Sequence, residues 1–186
     1  MLHRIKIINR WESGFTLIEV LIALIISGLI GSGIAATTYQ VININNMSSN
    51  RLIAVKQVEH VVDSISRDAS SAQDVITSFG WSGGIGFVQF NWVTWDNITK
   101  QVKYTLPFNQ NSQNKNWNNQ LKRIDNTVPA TSIVMTNYLD YNWDNPGNSP
   151  TNCEYNPTTG VLTVTISCTA GGATETRTFQ VVPRAK

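Results

Sequence analysis

Charge is scarce in this chain, and its distribution is more unusual than its amount. Charged residues make up 14% of the sequence, and none lies between Glu19 and Arg51. Histidine is confined to His3 and His60, cysteine to Cys153 and Cys168, and no proline precedes Pro107. Each shortage closes off a class of function. Two separated histidines leave no Ser-His-Asp set, two cysteines give no zinc spacing, and no phosphate-cradling glycine loop is present. His60, beside Glu59, reads as a solvated or packing residue. Asp140 and Asp144 lack the ligand-rich loop that calcium needs and read as solvated acids. The formal net charge of +2 is equally uninformative about nucleic acid, because Arg4, Lys6 and Arg10 against Glu12 supply all of it. From Phe15 onward eleven Lys and Arg face eleven Asp and Glu.

What the chain does have is a basic leader, a glycine at Gly14, and a long apolar run from Val20 to Ala36. About 20 apolar residues at ~1.5 Å each cross a bilayer's hydrocarbon, so this run reads as a membrane-spanning helix. The leader's basic residues place the amino terminus in the cytoplasm and the carboxyl-terminal part outside. An ordinary signal peptide cut near Ala35 or Ala36 is the alternative; the length of the run and the acid inside it weigh against that reading. Glu19 itself has two readings. Acids suit the first turn of a helix, where free amides and the helix dipole favour negative charge. A carboxylate buried in an apolar run is costly without a partner, which points instead to an intermolecular pairing. Ser27, Gly28, Gly31, Ser32 and Gly33 make the run a packing surface for sister helices or a weak point in the helix.

The segment Gly14-Phe15-Thr16-Leu17-Ile18-Glu19-Val20-Leu21-Ile22-Ala23 resembles the processing site of prepilins, the precursors of type IV pilins and type II secretion pseudopilins. The resemblance implies cleavage after Gly14 by a prepilin peptidase and N-methylation of the new terminus at Phe15. It also implies assembly through Glu19, whose carboxylate would pair with the freed amine of a neighbouring subunit. Many pilins carry a proline in this helix, whereas this chain has Ala36. Further on, the order Arg67-Asp68, Val102-Lys103-Tyr104, Leu121-Lys122-Arg123, Thr176-Arg177 and Pro183-Arg184 is similar to J-type pseudopilins and related minor pilins.

The resemblance implies a structural subunit in the cytoplasmic membrane with its head outside, then in a pilus or pseudopilus at or near the tip. Its partners would be other pilins, the peptidase and lipid, with no cofactor, metal, small-molecule substrate or enzymatic activity. A pilus-borne DNA-uptake or adhesive subunit is the competing reading. It would use Trp81, Trp92, Trp95, Trp117 and Trp143 as stacking surfaces near Lys100, Lys103 or Lys122. An exported enzyme on a membrane anchor is a second competitor. Asn97-Ile98-Thr99 fits a glycosylation sequon.

The expected architecture is α+β, a type IV pilin fold: leader 1–14, membrane helix 15–36, amphipathic continuation 37–79, and an antiparallel β head 80–186. Leu52, Val55, Val58, Val62, Ile65, Ala69, Ala72 and Ile76 recur at helical spacing, and Ser78-Phe79-Gly80 reads as the stop. Strands are expected at Ile85 to Trp95, Gln101 to Leu106, Leu121 to Ile124 and Leu139 to Trp143. Asn109 to Asn119 and Asp144 to Gly160 read as loops. Val161 to Cys168 and Thr174 to Val182 form a hairpin about Gly171-Gly172, with Leu162, Val164, Ile166 and Cys168 inward. In an oxidising compartment Cys153 and Cys168 are expected to form a disulfide, worth about 3 kcal/mol for a loop of ~15 residues. That bridge requires Cys153 in an irregular loop. A tight turn at Asn156 to Gly160 would instead set Cys153 opposite Val164, and the alternative is two free, half-buried thiols.

Overall fold

The computed structural model describes residues 14–77, 79–81, 84–107, 119–126, 129–142 and 145–184. The basic leader residues, Trp117, Trp143, Asp144 and nearly all of the expected 109–119 loop lie outside these residues. The fold is α+β, one long amino-terminal helix followed by antiparallel strands, as expected for a type IV pilin fold. The chain divides into two compact units, 1–45 and 46–186.

In the first unit, α1 (Leu17–Ser71) begins directly after Thr16 and passes through the glycine-containing stretch without a break. Three of its hydroxyls bond back within the helix: Ser32 Oγ donates to the Leu29 carbonyl at 2.9 Å, Thr37 Oγ1 to Gly33 at 2.8 Å and Thr38 Oγ1 to Ile34 at 2.9 Å. Such back-bonding gives these three hydroxyl protons an acceptor in an apolar surrounding. Every residue from 14 to 49 is exposed, including Leu24, Leu29 and Ile34 at more than 60%.

In the second unit the same helix becomes one-sided. Ala54, Val58, Val61, Ile65, Asp68 and Ala69 are buried, whereas Leu52 is 55% exposed. The inward stripe thus runs through Ala54 and Val61 rather than through Leu52 and Val62, which is only partly buried. The helix also stops at Ser71, short of the expected end near Phe79. Ser70 and Ser71 turn their hydroxyls back onto the Ser66 and Arg67 carbonyls, offering the chain an alternative to further helix. The Gln73 amide then donates to the Asn91 carbonyl. The β-branched residues that follow pair as β1 (Asp74–Thr77).

A six-stranded antiparallel sheet follows the order β1, β3 (Gly84–Val93), β4 (Thr99–Pro107), β5 (Leu121–Asp125), β6 (Thr131–Thr136), with the two-residue β2 (Gly80–Trp81) also pairing with β3. The second sheet is β7 (Asn152–Asn156), β8 (Val161–Ala170) and β9 (Ala173–Val181). Val102, Tyr104 and Leu106 on β4 and Leu162, Val164, Ile166 and Cys168 on β8 are wholly buried, as their alternation requires. Phe90 and Tyr104 meet edge to face at 6.0 Å inside this core. The hairpin about Gly171-Gly172 forms as expected, both glycines adopting positive φ of 53° and 85°. At Gly171 a side chain would also strike Asn50 on α1, whose Nδ2 donates to the Gly171 carbonyl at 3.3 Å.

Three further stretches differ from expectation. β6 lies in a stretch that carries no strong alternation, and the expected Leu139 to Trp143 strand contributes only an isolated bridge from Leu139 to Cys168. β7 forms inside the expected Asp144 to Gly160 loop, because Cys153 and Tyr155 pack against the core.

Candidate processing and assembly site

At the head of α1 the local chemistry is that of a helix cap. Thr16 stands just before the first helical residue. Its Oγ1 accepts from the Glu19 amide at 3.3 Å, while the Glu19 carboxylate accepts from the Thr16 amide and from the Thr16 hydroxyl, both at 2.9 Å. This is a capping box: threonine and glutamate three residues apart satisfy each other's backbone donors. The spacing Thr16-x-x-Glu19 carries that signal in the sequence itself, but reading Glu19 only as a first-turn acid or an intermolecular partner passes over it. Glu19 therefore already has hydrogen-bond donors within its own chain, so the need to satisfy a buried carboxylate does not by itself demand a second subunit.

Gly14 and Phe15 precede this cap in extended, exposed chain, with Phe15 87% accessible. A side chain built on Gly14 would meet nothing within 4 Å. Among the described residues no packing calls for glycine there.

The prokaryotic N-terminal methylation motif matches residues 12–35. Over those residues the chain is similar to type IV prepilins. No curated protein and no solved structure matches it. The match covers the Gly14–Phe15 junction, the capping box and most of the apolar run. The pilin-type family to which the motif belongs is structural rather than enzymatic, and α1 is long and apolar enough to cross a membrane.

Beyond the prepilin-like segment, the structure gathers residues that the sequence offers only as separate pairs. Asp68 from the last turns of α1, Tyr104 from β4 and Arg123 from β5 form one cluster. The Tyr104 hydroxyl and Arg123 Nε each donate to Asp68 Oδ2 at 2.7 Å, and Arg123 Nη2 donates to Oδ1 at 3.1 Å. Arg123 also lies 3.7 Å from Asp125. The two-pronged guanidinium–carboxylate geometry is the strong form of this pair. Burial, and then the Asp68 charge, push the Tyr104 phenol far above its ordinary value, and the hydrogen bonds to Asp68 push Arg123 up as well. Tyr104 thus stays a neutral donor and Arg123 a cation. Arg177 on β9 reaches Glu59 on α1 at 3.1 Å, but in solvent. These ties hold α1 to both sheets.

The remaining candidates scatter. His60 Nδ1 lies 3.2 Å from the Met135 carbonyl, which makes that nitrogen the donor. Trp92 packs partly against the core, while Trp95 is 98% exposed at the β3–β4 turn, next to Asn97 of the sequon, which holds a positive φ of 63°. Lys103 sits over the Phe79 ring at 6.0 Å.

The expected disulfide does not form; both thiols are free. Cys153 lies on β7 opposite Val164, and Cys168 is four residues further along β8. At ~3.4 Å per residue that separation far exceeds the 4.4–6.8 Å between Cα atoms that a disulfide spans. The tight turn at Asn156 to Gly160, closed by the Gly160 amide on the Asn156 carbonyl at 2.8 Å, sets this register. Burial, with the Glu154 charge adding, raises the Cys153 thiol from 9.0 to about 12. Burial raises Cys168 to about 11, partly offset by the Thr136 hydroxyl 3.9 Å away.

Proposed function

We propose that this chain is a structural pilin-like subunit. It is cut after Gly14 by a prepilin peptidase, and the new amino terminus at Phe15 is methylated. Residues 15–36 then hold it in the bacterial cytoplasmic membrane with the head outside. From there it joins a type IV pilus or a type II secretion pseudopilus through packing of its apolar helix with those of other pilins. The similarity of its spaced motifs to J-type pseudopilins favours a minor subunit at or near the fibre tip. One observation carries the reading: the methylation motif at residues 12–35 falls on an exposed Gly14–Phe15 bond directly before a capped helix. Glycine there, which no contact among the described residues explains, fits a peptidase that must approach the backbone closely.

The test is co-expression with a prepilin peptidase in bacterial membranes, followed by mass measurement of the amino-terminal peptide. A peptide beginning at N-methylated Phe15 is expected, and Gly14→Val should leave the precursor uncut. Cleavage instead near Ala35 or Ala36 would identify a secretory signal and sink the reading.

A ligand-binding head is the second reading, favoured by the 98% exposure of Trp95. It expects the full chain in detergent to be retained on single-stranded DNA or a glycan matrix, with retention lost in Trp95→Ala. Equal retention of the two proteins removes it.

A further inference from the structure

Where α1 lies against β5 and β6, a groove of about 300 Å³ opens between helix and sheet. His60, Ser64 and Arg67 line it from α1, at the three- and four-residue spacings that share one helix face. Arg123 of β5 and Ile133 and Met135 of β6 line it from the sheet. The volume stands at the lower end of ligand sites, which begin near ~300 Å³, so it suits one small group.

The charged groups around this groove are unevenly matched. The Asp68 carboxylate, also in the lining, accepts from Tyr104 and twice from Arg123, so its charge is taken up. Asp125 adds a second acid to Arg123 at 3.7 Å but does not line the groove. Arg67 is left over. It follows Asp63 by four residues, the spacing at which an acid and a base pair along a helix. Among the described residues its guanidinium nonetheless pairs with no carboxylate. The Ser64 hydroxyl beside it likewise has no hydrogen-bond partner among those residues. His60 is already engaged through Nδ1 with the Met135 carbonyl. The floor is apolar and only partly covered: Met135 is 5% exposed and Ile133 53%.

We propose that this groove binds a carboxylate carried on a short apolar stem. Its oxygens meet the Arg67 guanidinium and the Ser64 hydroxyl, and its stem lies on Ile133 and Met135. A guanidinium presents paired N–H donors that match the two oxygens of a carboxylate. Arg67 has that pair free, whereas Arg123 has committed its own to Asp68. The apolar floor selects the stem, because a hydrated inorganic anion gains nothing by covering it. Two sources carry this chemistry, a free aliphatic acid and a glutamate side chain of another protein. The site uses head residues alone and does not rest on the processing and assembly reading.

Titration of the isotope-labelled full chain in uncharged detergent micelles tests this, followed through the Ile133 methyl and Arg67 side-chain signals. The probes are butyrate, a blocked alanine peptide with a central glutamate, inorganic phosphate and butylammonium. Butyrate or the peptide should shift both signals saturably, with a dissociation constant on the order of a millimolar, and butylammonium should shift neither. The tighter of the two carboxylates identifies the source. Arg67→Gln should weaken that binding at least about tenfold, the loss expected for one charge-assisted contact. Its denaturation midpoint should match the wild type, since Arg67 gives up no carboxylate partner. If that variant does not fold, Ile133→Ser replaces it and should also weaken binding, by removing the floor. Three results overturn the proposal: no saturable shift with either carboxylate, phosphate binding as tightly as they do, or a folded variant that binds as well as the wild type.

Discussion

Asp68 and Arg123 are 55 positions apart in sequence and meet at 2.7 Å, where the end of α1 lies on the first sheet. Tyr104 donates to the same carboxylate oxygen. Removing Asp68 leaves the phenol without its acceptor and the guanidinium with only the looser Asp125 contact at 3.7 Å, in a largely dry site. Breaking a fully buried pair costs about 3–5 kcal/mol; Arg123 keeps 21% of its side chain exposed, which lowers the expected cost of Asp68→Ala to about 2–4 kcal/mol. Glu59→Ala breaks the other tie, in which both partners are about half exposed, and should cost less than about 1 kcal/mol. Chemical denaturation of the three proteins measures the difference, and equal losses would refute this ranking.

Glu19 is both a cap and the proposed assembly residue, and the two roles separate by mutation. Thr16→Ala removes the capping box but keeps the carboxylate; helix capping alone is worth about 1 kcal/mol. If Glu19 acts only through the cap, Thr16→Ala and Glu19→Ala should impair fibre incorporation equally. The proposed amine pairing instead expects near-normal incorporation of Thr16→Ala. Glu19→Ala should then stay in the membrane, absent from sheared fibres.

Thr105 is wholly buried on β4, and among the described residues its hydroxyl has no hydrogen-bond partner. An unmade buried hydrogen bond costs about 1–3 kcal/mol. Thr105→Val keeps the shape and deletes the orphan, so it should raise stability by about 0.5–1.5 kcal/mol. A lower denaturation midpoint in this variant would mean that the hydroxyl is satisfied.

The two thiols set a pH dependence whose sign follows from their burial. Both titrate higher in the folded chain, Cys153 at about 12 and Cys168 at about 11, than the ordinary 9.0. Above pH 9 the unfolded chain releases these protons while the folded chain retains them. Stability is therefore full below that value and falls as pH rises through the folded values. The denaturation midpoint should be flat near neutral pH and decline above 9. In the native protein at pH 7.5, iodoacetamide should label neither cysteine quickly, and both should react after unfolding without prior reduction. A two-dalton mass deficit in the unreduced chain would restore the disulfide.

Much of this protein is set by short-range patterns that need no tertiary context. A charge-free run of helical length, a basic leader and the Gly14 to Glu19 segment carry the proposed membrane helix and processing junction. Thr16-x-x-Glu19 declares the cap as well. Strict alternation through Val161 to Cys168 and the paired glycines after it determine the last hairpin, because side chains on a strand alternate by geometry alone. Long-range packing decided the rest. Asp68, Tyr104 and Arg123 sit in three weak local motifs, and only the layering of α1 on β4 and β5 makes them one cluster. The helix ends at Ser71 because the chain beyond it gains more by pairing with β3 than by another turn. β7 exists because Cys153 and Tyr155 can be buried there. The register that buries them holds Cys153 opposite Val164, beyond the reach of Cys168.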